Sequence, residues 1–328
     1  MKLITTLIPA FRKDYLGELF LGLHHQTFKD FRVILSDDSP AAEITTMIRE
    51  GRFGALLDGL DMVVVRGPQN ARLNHQALLD LWAGRTPLLH FHLDDDLIYP
   101  EFYQSHVDAH EGRRLAASIS RRWLSPPDGR PVLAVPLPDF ARQDPRHVLE
   151  FGADELFSTT VAHCDNWAGE LSNMVFSAEG AHHYPQPPAQ GLNYYGLLDI
   201  GFALEASRHM PLALIREHLG VFRQHPQQTT HNVGTHGARI AFLAWIAYAL
   251  AAWREGRIDA AQAVHAVAVA SQRSLQHLAD DPWVAEYLSL VEAHNRSLDD
   301  LHDAFAAFWG RLLGAHPATC PAAARPTA

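Results

Sequence analysis

Pro87-Leu88-Leu89-His90-Phe91-His92-Leu93-Asp94-Asp95-Asp96 is an apolar run stopped by three adjacent carboxylates. Its length and its punctuation, proline on one side and charge on the other, predict a buried strand. Three neighbouring carboxylates repel one another and are costly at a strand end unless a cation neutralises them. Hard divalent ions take such oxygen donors and commonly share them with phosphates. Asp94 and Asp96 are two residues apart, so they face one side if the strand geometry persists, with Asp95 facing elsewhere. A solvated acidic loop or a helix N-cap would also carry this cluster. Its surroundings decide.

Working outward, three runs of the same kind precede it. Leu3-Ile4-Thr5-Thr6-Leu7-Ile8 is rich in β-branched residues and stops at Pro9-Ala10-Phe11-Arg12. Phe31-Arg32-Val33-Ile34-Leu35 ends in Ser36-Asp37-Asp38-Ser39-Pro40, and Met62-Val63-Val64-Val65 is the third. Between them, helical spacing runs from Asp14 to His25, from Glu43 to Phe53 and from Asn74 to Ala83. Strands alternating with helices need right-handed crossovers, which set neighbouring strands parallel. The expected fold class is therefore α/β, a Rossmann-like, mostly parallel sheet flanked by helices. Such sheets bind ligands beyond the carboxyl ends of their strands. Pro9 to Arg12, Asp37-Asp38 and Asp94 to Asp96 all fall there.

From 115 to 235, proline-rich loops (Pro126-Pro127, Pro136-Leu137-Pro138, Pro185 to Pro188) predict irregular strands and loops. Beyond 237 the signals are helical only. Ala238 to Trp253 is apolar nearly all round and should be buried. Asp259 can cap a helix to Leu278, Asp281-Pro282 opens another, and Ser297-Leu298-Asp299-Asp300 resembles a capping box before the last. We expect one domain over 1–236 in two halves, 1–112 and 113–236, then an all-helical extension over 237–314 and a disordered tail over 315–328.

With 328 residues, 47% of them hydrophobic and 20% charged, the chain can bury a substantial core. A net charge of −10 argues against general nucleic-acid binding, which needs a basic surface. The longest apolar run, Ala241 to Trp253, falls short of the about 20 residues that span a bilayer, which leaves only peripheral membrane contact open. The two cysteines, Cys164 and Cys320, are far apart and form no C-x-x-C pattern. They fit a reducing compartment without a disulfide framework or a thiolate zinc site. Met1-Lys2-Leu3-Ile4 runs into a strand rather than a signal peptide, so a cytoplasmic location is expected. The sequence contains no H-E-x-x-H, G-x-S-x-G or P-loop, and no G-x-G-x-x-G follows the first strand.

Thr6-Leu7-Ile8-Pro9-Ala10-Phe11-Arg12 resembles the first strand and donor loop of family 2 glycosyltransferases of the GT-A fold. Tyr15-Leu16-Gly17-Glu18-Leu19, Gln26-Thr27-Phe28-Lys29-Asp30-Phe31 and Ser36-Asp37-Asp38-Ser39 follow in that family's order. So do Asn70-Ala71-Arg72-Leu73-Asn74-His75-Gln76-Ala77-Leu78 and Leu93-Asp94-Asp95-Asp96-Leu97-Ile98-Tyr99-Pro100. The resemblance implies a metal-dependent, inverting transfer from a nucleoside-diphosphate sugar, a UDP-sugar above all. The acceptor would be a hydroxyl of a saccharide, a lipid-linked sugar, a peptide or another molecule, as in surface polysaccharide or glycoconjugate synthesis. Domain 1–236 then divides into a nucleotide-binding half and an acceptor half.

Residue by residue, the resemblance gives Asp38 the nucleotide base, and Pro9, Ala10 and Phe11 the base and ribose pocket, with Arg12 beside them. Arg72 would approach the diphosphate, with Asn74 on the same helix. Asp95 and Asp96 would hold ribose and a Mn²⁺ or Mg²⁺ ion, and Asp94 is an alternative ligand. The family's usual motif has an aspartate where Leu93 stands, which leaves the ligating pair open. Tyr195-Gly196-Leu197-Leu198-Asp199-Ile200-Gly201-Phe202 resembles the segment of the catalytic base, giving that role to Asp199. Leu198 replaces the acidic residue usual before it, and Asp199 could equally cap the following helix. Arg223-Gln224-His225-Pro226-Gln227-Gln228-Thr229-Thr230 resembles the loop closing over the donor. His225 is then a further metal or diphosphate contact, with His231 and His236 competing. His163-Cys164-Asp165-Asn166 and Ser172-Asn173-Met174-Val175 would mark the acceptor wall, although Met174 and Val175 are equally good core residues.

Two other classes compete. A sugar-phosphate nucleotidyltransferase would carry a glycine- and lysine/arginine-rich loop after the first strand, and Pro9 to Lys13 lacks the glycines. A non-catalytic nucleotide-sugar-binding or interaction protein has no need of aspartates at two strand ends with a further polar loop beside them. The C-terminal helices could cover an acceptor site, touch a membrane surface or make a homodimer.

Overall fold

The computed structural model describes residues 2–226, 228, 235–294 and 296–315; Gln227, Thr229, Thr230, His231 and the tail from 316 lie outside the described residues. The chain forms two compact units, one of Met1–Leu156, Asn166–Tyr184 and Phe202–Gln224, the other of Phe157–Asp165, Pro185–Gly201 and His225–Ala328.

The first unit opens with β1 (Ile4–Ala10), α1 (Leu16–His24), β2 (Phe31–Asp37), α2 (Glu43–Arg49), β3 (Met62–Arg66), α3 (Ala71–Trp82) and β4 (Leu88–Phe91). Then come β5 (Leu97–Ile98), α4 (Phe102–His110), β6 (Ala117–Ser125), β7 (Leu133–Ala134), α5 (Asp139–Gln143) and β8 (Val148–Phe151). β9 (Met174–Ser177), α7 (Ala178–Ala181) and β10 (Leu212–Arg223) complete it, while α6 (Ala153–Thr159) and α8 (Leu198–Ser207) each have residues in both units. The sheet order is β3-β2-β1-β4-β9-β6-β10-β5, with β7 on β6 and β8 on β10.

Strands β1 to β4 pair in parallel, as the strand–helix alternation requires, and the register brings Ala10, Asp37 and Arg66 level at one edge. The second half departs from that pattern. β9 runs antiparallel to both β4 and β6, and β5, β7 and β8 also pair antiparallel, so the sheet is mixed. β10 nevertheless pairs parallel to β6, and β9 enters the sheet directly after the 3-10 turn over Leu171–Asn173, at the end of a long excursion from β6.

Local sequence explains the helices around this edge. α1 buries Leu16, Leu19, Phe20 and Leu23, an i, i+3, i+4, i+7 stripe. Each such side chain contributes about 2 kcal/mol when buried. Phe20 meets Phe53 edge to face at 4.8 Å. α3 begins at Ala71, three residues earlier than its apolar pattern, because the Asn70 side chain caps it by accepting the Leu73 N–H.

The second unit contains α9 (His236–Arg254), α10 (Ala260–His277), α11 (Pro282–Ala293) and α12 (Leu298–Gly314). Their caps are Thr235, Asp259 in a capping box with Gln262, Asp281 ahead of Pro282, and Ser297. α9 is buried along most of its length, from Ala238 to Ala252, as its apolar circumference requires. No helix among the described residues is long and apolar enough to cross a membrane.

Candidate active site

β4 ends at Phe91, and the chain then turns, with the Asp96 N–H donating to the Leu93 carbonyl at 3.3 Å. Strand geometry does not persist through the aspartates: a turn sends each carboxylate to a different neighbour. Asp94 Oδ2 accepts the N–H groups of Phe11 and Arg12, both at 2.6 Å, and so clamps the loop after β1. Asp95 lies 3.5 Å from the Arg12 guanidinium. Asp96 is buried, and its Oδ1 accepts the Arg223 N–H at 3.2 Å. Its Oδ2 is buried without a hydrogen-bond partner.

The electrostatics follow from this geometry. Burial, and then the charge of Asp95, push the Asp94 carboxyl up to about 7 against the opposing N–H bonds of Arg12 and Phe11. The same two causes raise Asp96 well above the carboxylate range, although Ser172, the Arg223 N–H and the charge of Arg122 favour its ionised form. An orphaned buried oxygen in a cluster with surplus negative charge fits a cation. Among the described residues no three histidine, cysteine or acidic side chains converge as a ready-made cage. Such an ion would take one or two carboxylates here and complete its shell with ligand oxygens.

A buried polar chain supports the turn from below. Ser172 Oγ accepts the Leu93 N–H at 3.0 Å, and the Ser172 carbonyl accepts from His90 Nε2 at 3.1 Å. His90 Nδ1 then accepts from the Tyr103 hydroxyl at 3.1 Å, which is 2.5 Å from the Thr6 hydroxyl. Donation to a carbonyl on one side and acceptance from a phenol on the other define a neutral imidazole. Burial, chiefly, holds His90 well below the usual histidine value. Ser172, read from sequence as acceptor wall, thus belongs under the aspartate turn. His90 has one signal in the sequence, a polar residue inside an apolar strand.

At the neighbouring edge Asp38 is buried, its Oδ1 taking the Gln69 N–H. Gly67 is obligatory beside it: a Cβ there would stand 2.5 Å from Asp38 Oδ1 and 2.9 Å from Ser36 Oγ. Pro9 is half-buried, Ala10 buried, and Phe11 is 58% exposed. Arg72 is exposed in the first turn of α3, and Asn74 is buried with its Oδ1 unpartnered. Phe11 and Arg12 are therefore in direct contact with Asp94, and Arg12 with Asp95.

Asp199 and His225 belong to the second unit. Asp199 lies half-buried in the first turn of α8. Within that unit, the Tyr248 hydroxyl of α9 accepts the Leu197 N–H at 2.8 Å and donates to the Leu197 carbonyl at 3.1 Å. His225 is buried, its N–H 3.4 Å from Gln228 Oε1, and His236 is the first residue of α9.

No family model matches the chain, and no curated protein matches its sequence. Among solved structures, residues 1–349 of Staphylococcus aureus TarS in complex with UDP align with a TM-score of 0.54. Identity is 12%, over 96% of this chain and 93% of that one. The same protein in complex with UDP-GlcNAc aligns at 0.52, with 13% identity over 95% and 92%. The fold is shared. Both the α/β sheet flanked by helices and the helical C-terminal region expected from the sequence are present. Mannosyltransferase PcManGT from Pyrobaculum calidifontis, in complex with GDP-Man and Mn²⁺, aligns at 0.49 with 12% identity over 94% of this chain and 84% of that.

Proposed function

We propose that the protein is a glycosyltransferase moving a sugar from a nucleoside-diphosphate donor to an acceptor hydroxyl. One observation carries the reading: a buried, unpartnered carboxylate oxygen of Asp96 at the carboxyl edge of a sheet whose fold is shared with TarS. TarS was solved with UDP and with UDP-GlcNAc, which favours a UDP-sugar as donor here.

In this reading Asp94 fixes the Phe11–Arg12 backbone, so that the exposed Phe11 ring offers a face to the nucleotide. Asp38 retains an oxygen for the base, and Arg72 reaches the diphosphate from α3. A Mn²⁺ or Mg²⁺ ion held by Asp96, with Asp94 or Asp95 beside it, would supply positive charge where the departing diphosphate grows negative. Asp199 is proposed as the base that accepts the acceptor hydroxyl's proton, and attack opposite the leaving group inverts the anomeric centre.

Thermal denaturation with a panel of nucleotide sugars tests this. A UDP-sugar is expected to raise the melting temperature in Mn²⁺ and not in EDTA. If no nucleotide sugar stabilises the protein in Mn²⁺, the proposal fails. Asp199→Asn should cut turnover while leaving donor binding intact; unchanged turnover removes Asp199 from the base role.

A further inference from the structure

Arg223, the last residue of β10, is 1% exposed, too deep for its charge to be solvated by water. Its guanidinium is spent on three separate segments. Nε donates to the Asp95 carbonyl at 2.9 Å, Nη1 to the Pro127 carbonyl at 2.7 Å, and Nη2 to the Glu18 carboxylate of α1. The group also lies 4.1 Å over the Tyr15 ring. Gly129 makes room for it, since a Cβ there would sit 3.3 Å from Nη2. The peptide N–H of the same residue donates to Asp96 Oδ1. One residue thus grips two consecutive members of the aspartate turn, one through its side chain and one through its backbone.

We propose that Arg223 is a positioning residue for the cation–diphosphate site: it holds the Asp94–Asp96 turn so that Asp96 Oδ2 stays free for a ligand. The inference rests on the function proposed above and assigns the residue that keeps that site assembled. Lysine cannot replace it, because a single ammonium cannot reach the Asp95 carbonyl, the Pro127 carbonyl and Glu18 at once, as a planar fork does. Glu18 supplies the counter-charge that makes the buried guanidinium tolerable.

Calorimetric titration of the full chain with UDP, in Mn²⁺ and in EDTA, tests this without any turnover. Wild type comes first: if it shows no Mn²⁺-dependent UDP binding, the functional reading itself fails. Given that binding, Arg223→Met and Arg223→Lys should each weaken it at least tenfold. Metal-independent uridine binding and the folded signal at the assay temperature should be retained. A merely structural arginine would lower the melting temperature but leave the Mn²⁺-dependent affinity of the folded protein untouched, and that result overturns the proposal. Glu18→Gln removes only the outer anchor and covers the case in which the arginine variants fail to fold. It should weaken Mn²⁺·UDP binding several-fold, and wild-type affinity there overturns the proposal as well.

Discussion

Strands β2 and β4 flank β1, and each ends in an acidic turn at the same edge of the sheet, yet the two turns are electrostatic opposites. Asp37, at the end of β2, has both oxygens engaged. Oδ1 accepts from the Ser39 N–H and hydroxyl at 3.1 and 2.5 Å, and Oδ2 from the Thr45 N–H and hydroxyl at 2.8 and 2.6 Å. Burial pulls its carboxyl upward, but the bonds from Ser39 and Thr45 prevail and hold it below the ordinary value. Asp96 after β4 is equally buried, has one bare oxygen, and sits well above that value. A carboxylate that has been satisfied fastens the structure; one left unsatisfied at a strand end waits for a ligand.

The largest effect that could break this contrast is on turnover. Asp96→Asn should lower glycosyl transfer by about 10³-fold, the scale seen when a charge-stabilising group is removed from a reaction centre. Its melting temperature at neutral pH should stay level or rise, because a neutral amide replaces a buried carboxyl whose ionisation burial and Asp95 oppose. Asp37→Ala should do the reverse. Losing the acceptor of four hydrogen bonds strands buried donors at about 1–3 kcal/mol each, and with partial rehydration we expect about 3 kcal/mol of lost stability by denaturant unfolding. The protein that remains folded should still turn over. An Asp96 variant that loses stability and keeps activity would erase the distinction.

The sequence made one of these turns legible and half-hid the other. Three carboxylates at the end of an apolar run single out a candidate site, and β1 to β4 lie within a few residues of where alternation and turn residues put them. The capping residues Asp259, Asp281 and Ser297 were equally readable, since a cap acts within three residues of itself. What the sequence could not show depends on pairing across long separations. Met174–Ser177 is apolar on both faces, and only its place between β4 and β6 makes it a central strand. Arg223 stands in a stretch that resembles a donor-covering loop, but it reaches Asp96 across 127 residues and Glu18 across 205. Likewise the link from His90 to Ser172 spans 82 residues. No local pattern encodes such partners.

Acidity sharpens the comparison next. In the metal-free protein the Asp94 carboxyl is raised to about 7, so the folded state holds a proton there that an unfolded chain releases near 3.8. Ionising it above pH 7 therefore costs stability, and the cost fades as pH falls below 7. Asp37 has the opposite sign, contributing stability above 3.8 and losing it at lower pH. A cation must meet an ionised turn, so Mn²⁺ affinity should fall as pH drops below 7, by up to about tenfold per pH unit for one displaced proton. Calorimetry in buffers of different ionisation enthalpy counts that proton. A Mn²⁺ affinity flat from pH 8 to pH 6 would mean that Asp94 is already ionised and that the turns differ less than their burial implies.

The smallest predicted effect tests whether the satisfied turn also has a binding role. Asp37 is fully engaged, but its neighbour Asp38 spends Oδ1 on the Gln69 N–H, an arrangement possible only because Gly67 has no side chain. Gly67→Ala would put a methyl 2.5 Å from that oxygen and 3.1 Å from the Asp38 Cα, so Asp38 must move. The Gln69 bond would be lost, at about 1 kcal/mol of stability. If Asp38 reads the nucleotide base, UDP affinity should fall by about tenfold, or about 1.4 kcal/mol. Mn²⁺ binding alone, governed by the other turn, should be unchanged. Wild-type UDP affinity in a folded Gly67→Ala protein would leave the first turn a purely structural fastening and confine ligand recognition to the aspartates after β4.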